Sequence, residues 1–124
     1  MFELSKQFRF DAAHTLNRVI ETESSRRLHG HSYRAEVTVR GRPDPETGML
    51  VDLGLLEREM EETRDALDHR FLDEINDLGP ATMENLSRWI WDRLRPTVVN
   101  LHKVSVYRDS SGEACSYWGE EVPA

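Results

Sequence analysis

Two-residue alternation of apolar side chains is the feature that most constrains how this 124-residue chain folds. Residues 2–14 place apolar side chains at even positions, and residues 28–41 place them at odd positions. Because successive side chains of a strand point to opposite faces of a sheet, this pattern predicts two strands, each with one buried face. His14 follows the apolar parity of the first strand, and His29 and His31 follow that of the second. If the two strands pair, the three imidazoles converge on one face.

Three imidazoles around one point suggest a metal site. A lone histidine near a strand end is more often a hydrogen-bonded core or surface residue. Here, however, His29 and His31 flank a glycine at i and i+2, and His14 matches them in phase. Three neutral imidazoles suit a zinc ion that keeps a fourth coordination position open for water or substrate. The sequence therefore predicts a catalytic-type zinc site at His14, His29 and His31, with His69 and His102 outside it.

The middle of the chain predicts two helices. Asp52 is a candidate N-cap for a helix whose apolar face runs to Leu67 at helical spacing. Thr82 begins a second helix, which Pro96 stops. Before the first helix, proline and glycine at 41–48 predict a turn that closes a hairpin to residues 49–51.

Two final strands, at about 103–109 and 114–118, are joined by a Ser-Ser-Gly turn. Strands, then two helices, then strands is an order typical of an α+β protein. We therefore predict one domain, residues 1–124, with an antiparallel four-stranded sheet and two helices packed on one face.

Composition argues against several classes of function. The net charge of -7 argues against a nucleic acid partner, and no apolar run approaches the roughly 20 residues of a membrane span. Cys115 is the only cysteine, which rules out an internal disulfide and agrees with a reducing compartment. The first residues alternate as a strand and lack the regions of a signal peptide, so we expect a cytoplasmic protein. A core this small often completes itself by oligomerisation.

Five short motifs extend over nearly the whole chain. They are Phe10-Asp11-Ala12-Ala13-His14, Leu28-His29-Gly30-His31-Ser32-Tyr33, Asp44-Pro45-Glu46-Thr47-Gly48-Met49 with Asp52, Leu67-Asp68-His69, and Thr82-Met83-Glu84-Asn85-Leu86. In this order and spacing the chain resembles the 6-pyruvoyltetrahydropterin synthase and 6-carboxytetrahydropterin synthase family. The resemblance implies a tunnelling fold around a central channel, commonly a hexamer of two trimers, with active sites at subunit interfaces. We therefore expect a homo-oligomer.

The resemblance also implies the chemistry of the site. His14, His29 and His31 match the zinc ligands of the family, in which zinc holds the side-chain hydroxyls of 7,8-dihydroneopterin triphosphate and makes nearby protons easier to remove. Asp68 and His69 match an acid/base dyad in which the carboxylate orients and charges the imidazole. Without the resemblance, His69 reads as a histidine that interacts with a helix C-terminus.

Two residues match substrate-binding positions less closely. Asp109 aligns with the glutamate that anchors the pterin in the family, whose two oxygens accept paired hydrogen bonds from the pyrimidine edge. The side chain here is one methylene shorter. Thr82 is a second candidate at the pterin edge, although its role as a helix cap also explains it.

The chain departs from the family at one catalytic position. The catalytic cysteine of the family, eleven residues after the first zinc histidine and four before the second, corresponds to Ser25. An unassisted serine hydroxyl is far too weak an acid to replace a thiol that titrates near pH 8.5. Glu23 is the nearest candidate base, and some family members use glutamate in place of the cysteine. The alternative is that Glu21 and Glu23 are ordinary solvated loop carboxylates.

These observations favour a zinc-dependent pterin synthase or lyase that resembles 6-carboxytetrahydropterin synthase and acts on 7,8-dihydroneopterin triphosphate in a deazapurine route, that of the queuosine precursor. The alternatives are a 6-pyruvoyltetrahydropterin synthase or another dihydropterin side-chain lyase, and a zinc and pterin binding module that lost catalysis with the cysteine. A different metal-dependent hydrolase at the same site is a further alternative.

Overall fold

In the part of the chain that the structure describes, one five-stranded sheet packs against two α-helices. The computed structural model describes residues 1–20, 23 and 26–120. The strand order in the sheet is β3-β1-β2-β4-β5. The elements along the chain are β1 (Phe2–His14), β2 (His29–Gly41), α1 (Leu53–Leu67), β3 (Arg70–Phe71), a 3-10 turn (Leu72–Glu74), α2 (Met83–Leu94), β4 (Leu101–Arg108) and β5 (Glu113–Tyr117).

The α+β class and the two helices are confirmed, whereas the count of four strands is wrong. The fifth strand, β3, has two residues and runs parallel to β1, opposite Ala12 and Ala13. It forms where the chain leaves α1, because the backbone N–H of His69 donates to the carbonyl of Asp11 at 2.6 Å and brings the next residues beside β1. Two residues are too few to show an alternating pattern, so β3 was not predictable from periodicity.

The predicted hairpin to residues 49–51 is also wrong, because the structure has no strand there. The turn closes on itself instead: the N–H of Asp44 donates to the carbonyl of Met49 at 2.9 Å, and the N–H of Gly48 donates to the carbonyl of Asp44 at 2.7 Å. The Asp44 carboxylate accepts the N–H of Glu46 at 2.7 Å. Bonds within the turn thus replace the ladder bonds that a strand would need.

The core lies between one face of the sheet, which we call the core face, and the two helices. Even positions of β1 after Phe2 and odd positions of β2 are partly or fully buried on it, as the alternation predicted, whereas Phe2 is exposed. The opposite face, which we call the outer face, carries mainly polar side chains. The residues that fill the core include Phe10, Tyr33, Ala35, Val37 and Val39 of the sheet, Leu56, Met60 and Leu67 of α1, and Leu86, Ile90 and Leu94 of α2.

Both helices begin at the predicted caps. The Asp52 carboxylate accepts the N–H of Gly54 at 2.8 Å, and the Thr82 hydroxyl accepts the N–H of Asn85 at 3.1 Å. Leu53, at the start of the predicted apolar face of α1, is half exposed. Within the described ranges, neither helix is long and apolar enough to cross a bilayer.

Candidate metal and active site

The register of β1 on β2 brings the three predicted histidines together. His14 is paired with His29, and Ala12 with His31, so the three side chains lie on the core face at one end of the strand pair. Their ring centroids are 4.5 to 5.0 Å apart. One nitrogen from each ring lies within 4.8 Å of the others. This spacing is short enough for one ion to contact all three rings.

Backbone carbonyls fix the protonation of two of these rings. His14 Nδ1 lies 2.8 Å from the carbonyl oxygen of Ala81, and His29 Nδ1 lies 2.7 Å from that of Arg27. Since a carbonyl oxygen only accepts, each ring carries its proton on Nδ1 and keeps the lone pair on Nε2. Metal-binding histidines generally make this kind of outer hydrogen bond.

The Nε2 atom of His14 is the clearest sign that a ligand belongs here. The His14 residue is 1% exposed, and its Nε2 is a buried atom without a hydrogen-bond partner among the described residues. A buried polar atom left unpaired costs about 1–3 kcal/mol, so native structures rarely keep one without a purpose. A metal ion on Nε2 would satisfy it. The donor set of three imidazoles therefore fits zinc.

The surroundings also keep two of these donors, His31 and His14, neutral, as metal binding requires. Burial, followed by the nearby Arg108 cation, lowers the pKa of His31 to about 4. Burial likewise lowers the pKa of His14, against a smaller raising effect of its hydrogen bond to Ala81. Both rings therefore hold a free lone pair at neutral pH.

The histidines line a cleft of about 370 Å³. Thr82 and Glu84, at the start of α2, form part of its wall, and Arg108 and Glu113 form another part. Arg108 Nη1 lies 3.3 Å from His31 Nε2, while Arg108 Nη2 makes an ion pair with the Glu113 carboxylate. Sequence analysis missed Arg108, although its two-residue spacing from the buried Val106 of β4 is a signal for this face.

Asp68 and His69 form the predicted pair. Asp68 ends α1, and its Oδ2 lies 3.0 Å from His69 Nδ1. Its Oδ1 accepts the backbone N–H of Asp11 at 2.9 Å, and this bond is the main reason why the pKa of Asp68 is lowered. His69 adopts a positive φ of 59°, a conformation that is uncommon outside glycine and often found at functional sites. An ionised Asp68 thus orients the His69 imidazole.

The Asp68–His69 pair and the three histidines lie on opposite faces of the sheet. Asp11 alternates with Ala12 and therefore points to the outer face. Its carboxylate lies within 4.8 Å of the ligand atoms of Asp68 and His69, which places the pair on that face. His69 has a side chain that is 79% exposed. Within one subunit, then, the pair does not line the histidine cleft, although His69 and His31 both line a second cavity.

Asp109, the expected pterin anchor, also points to the outer face. Its two oxygens each accept a hydrogen bond of 3.0 Å from the Arg34 guanidinium, and Arg9 lies 3.5 Å from one of them. The bond from Arg34 is the main cause that lowers the pKa of Asp109. Two other carboxylates, those of Glu84 and Glu113, line the histidine cleft, and the pKa of Glu113 is lowered first by a hydrogen bond from Ser111 and then by Arg108.

The structure describes only one of the two residues considered for the role of the family cysteine. Ser25 lies outside the described residues. Glu23 has a side chain that is 86% exposed, and its Oε1 accepts from Arg27 Nη2 at 2.8 Å. The described contacts of Glu23 are thus those of a solvated ion pair.

Comparisons with known proteins agree with this architecture. A family model described as 6-pyruvoyl tetrahydropterin synthase matches residues 3–120. The human 6-pyruvoyl tetrahydrobiopterin synthase is 34% identical over 134 residues, which cover 95% of this chain and 92% of the human protein. The 6-carboxy-5,6,7,8-tetrahydropterin synthase of Synechocystis is 33% identical over 120 residues, with 92% of each chain covered.

Comparison with solved structures points to the same family as comparison of the sequences. The 6-pyruvoyl tetrahydropterin synthase of Caenorhabditis elegans superposes with a TM-score of 0.84 at 27% sequence identity, over 96% of both chains. The family match thus covers both strand pairs, both helices and the converging histidines. The chain belongs to the 6-pyruvoyl tetrahydropterin synthase family.

Proposed function

We propose that this protein is a zinc-dependent pterin synthase or lyase that resembles 6-carboxytetrahydropterin synthase. Its substrate would be 7,8-dihydroneopterin triphosphate, and its cytoplasmic role would be to supply the queuosine precursor. The observation that carries the proposal is the cluster of three imidazoles with the buried, unpaired Nε2 of His14. Relatives that bear the 6-pyruvoyl and the 6-carboxy names are equally similar to the chain, so the product has to be decided by experiment.

His14, His29 and His31 would hold the zinc. The carbonyls of Ala81 and Arg27 keep two of these rings oriented, which lowers the cost of ordering them around an ion. When bound, zinc acts as a Lewis acid toward oxygen atoms of the pterin side chain and makes the adjacent protons easier to remove.

His69 would transfer the proton. Asp68 stays ionised because the Asp11 N–H and Arg64 stabilise its charge, and it accepts a hydrogen bond from His69 Nδ1. The proton on Nδ1 leaves the lone pair on Nε2 free to accept a proton from the substrate. The carboxylate then stabilises the imidazolium that results.

Because the sheet separates the dyad from the cleft, we assign the complete active site to two subunits of a homo-oligomer. One subunit would supply the histidine cleft and another the exposed His69 with Asp68. A mixing experiment tests this arrangement. His31→Ala and His69→Ala should each be inactive, and subunits of the two variants, unfolded and refolded together, should regain activity at hybrid interfaces. No recovery from mixtures that form hybrid oligomers would contradict a shared site.

Glu113 is the carboxylate in position to anchor the pterin ring in this cleft. Two carboxylate oxygens can accept paired N–H groups from the pyrimidine edge. Glu113→Gln replaces one acceptor by a donor that faces another donor, so pterin binding should weaken by roughly 2–4 kcal/mol. Asp109→Asn is the matched control, since Asp109 is held by Arg34 on the outer face. The opposite ranking of the two variants would return the anchor to Asp109.

The base that replaces the family cysteine is tested by two substitutions. If Glu23 serves, Glu23→Gln should lower turnover at least about 100-fold and leave zinc bound. Ser25→Cys should restore activity in that background, because it returns a thiol to the family position. Full activity of Glu23→Gln would remove Glu23 from the mechanism.

A non-catalytic zinc and pterin binding module is the second candidate. It is favoured by the ion pair of the exposed Glu23 with Arg27 and by the serine at position 25. The deciding experiment incubates the zinc-loaded protein with 7,8-dihydroneopterin triphosphate and identifies products by mass, with His31→Ala as the control. A 6-carboxytetrahydropterin product supports the leading proposal, and a 6-pyruvoyltetrahydropterin product supports the other branch. Pterin binding without any product supports the binding module.

A further inference from the structure

The guanidinium of Arg108 contacts His31, one of the predicted metal ligands. Arg108 ends β4 on the core face, and its side chain is 18% exposed. The three nitrogen atoms of its guanidinium lie in different surroundings. Nη2 is paired with Glu113, Nη1 faces His31 Nε2, and Nε is buried without a hydrogen-bond partner among the described residues.

A metal on His31 removes the acceptor that Arg108 Nη1 now faces. If Nε2 binds the metal, its lone pair is no longer available. If Nδ1 binds the metal instead, the neutral ring carries its proton on Nε2, which then donates. In either case Arg108 is left with two donor atoms, Nε and Nη1, that have no protein acceptor among the contacts described above.

Arginine donors without acceptors are costly when they are buried, as Nε is here, and more so for a charged group. Glu113 compensates the charge on one side through Nη2 and fixes the orientation of the guanidinium. Arg108 forms part of the wall of the cleft that the histidines line, so its guanidinium lies beside a ligand held in that cleft. Arginine donors prefer anionic oxygen acceptors, such as phosphate and carboxylate.

We infer that Arg108 is a specificity-determining residue, which binds an oxyanion group of the ligand held at the three histidines. The inference rests on the proposed metal site. Arg108 favours ligands that carry a phosphate or carboxylate close to the metal-bound atoms over neutral ligands of the same shape. Metal binding and oxyanion binding are thereby coupled, because only the metal-loaded protein releases Arg108 from His31.

Calorimetric titration of the zinc-loaded protein with inorganic phosphate, and separately with acetate, tests the inference. Arg108→Gln removes the charge and should weaken binding of the oxyanion about 10- to 100-fold, the range for a hydrogen bond to a charged group. Arg108→Lys keeps the charge but loses the planar set of guanidinium donors, so its affinity for the oxyanion should lie between those of the wild-type protein and Arg108→Gln. Arg9→Gln removes an exposed cation from the outer face and should leave the affinity unchanged. Phosphate and acetate distinguish the two oxyanion sources.

The coupling supplies a second measurement that does not depend on turnover. Zinc should raise the affinity of the wild-type protein for the oxyanion, and this gain should shrink in Arg108→Gln. If zinc binds but Arg108→Gln and Arg108→Lys both retain wild-type affinity, or if the wild-type protein binds neither anion, the inference fails while the proposed function stands. If the wild-type protein binds no zinc, the proposed function itself fails.

Discussion

Zinc should remain bound to this site at a pH where an ordinary three-histidine site would lose it. Protons compete with zinc for each imidazole lone pair, so the affinity falls by the factor 1 + 10^(pKa − pH) for each ligand. An imidazole with the reference pKa of about 6.5 contributes about a 30-fold loss at pH 5. His31, with a pKa of about 4, contributes only about 1.1-fold at that pH.

The sign of this effect follows from the direction of the shift. Burial, followed by Arg108, disfavours the protonated form of His31, so the ring binds its proton only at a lower pH. The advantage over an ordinary imidazole is absent above about pH 6.5, grows as the pH falls, and is nearly complete at pH 4. The lowered pKa of His14 acts in the same direction.

Competition with a chelator of known affinity, between pH 7 and pH 5, measures this dependence. Three ordinary imidazoles would give a plot of log affinity against pH with a slope that approaches three below pH 6. We expect a slope well below three. NMR titration of the metal-free protein should place the midpoint of His31 near pH 4, with His31→Ala used to assign the signal. A slope near three, or a His31 midpoint near 6.5, would refute the electrostatic argument.

Three further predictions concern stability, each measured by urea unfolding of the zinc-loaded protein at one fixed concentration. Thr82→Ala removes the cap of α2 and should cost about 1 kcal/mol, whereas Thr82→Ser should cost far less. Leu86→Ala, at a residue that is 0% exposed, should cost about 2–5 kcal/mol, while Leu53→Ala at the half-exposed start of α1 should cost much less. Gly119→Ala should destabilise the protein, because φ is +87° there and a Cβ would lie 2.7 Å from the Trp91 ring; a neutral effect would contradict that packing.

The strand parity was sufficient to predict which side chains of β1 and β2 are buried and that three histidines converge. Alternation is a local property of the backbone, so it can be read directly from the residues. The same rule could have corrected the expectation for Asp109. Arg108 follows the buried Val106 by two residues, and Asp109 is one residue further along the chain, which turns it to the outer face.

The face on which Asp68 and His69 lie was not predictable in this way. Their position depends on how the chain leaves α1 and crosses the edge of the sheet, where the His69 N–H binds the Asp11 carbonyl. That contact joins residues 58 positions apart, and no periodic pattern of residue types in the sequence indicates it. Motif resemblance identified the pair of residues, but only the packing of the whole chain shows which side of the sheet they occupy.

One short stretch at the end of β1 supports both parts of the proposed site. The backbone N–H of Asp11 binds Asp68 and its carbonyl binds His69, and three residues later His14 lines the histidine cleft. Side chains at adjacent strand positions point to opposite faces of the sheet. This strand therefore positions the histidine cleft and the Asp68–His69 pair within one subunit but on different faces. The distance between a base and its substrate has to be about one hydrogen bond for proton transfer. In the proposed two-subunit site, packing between subunits would supply this distance, which one strand cannot, so the proposed chemistry would require an oligomer.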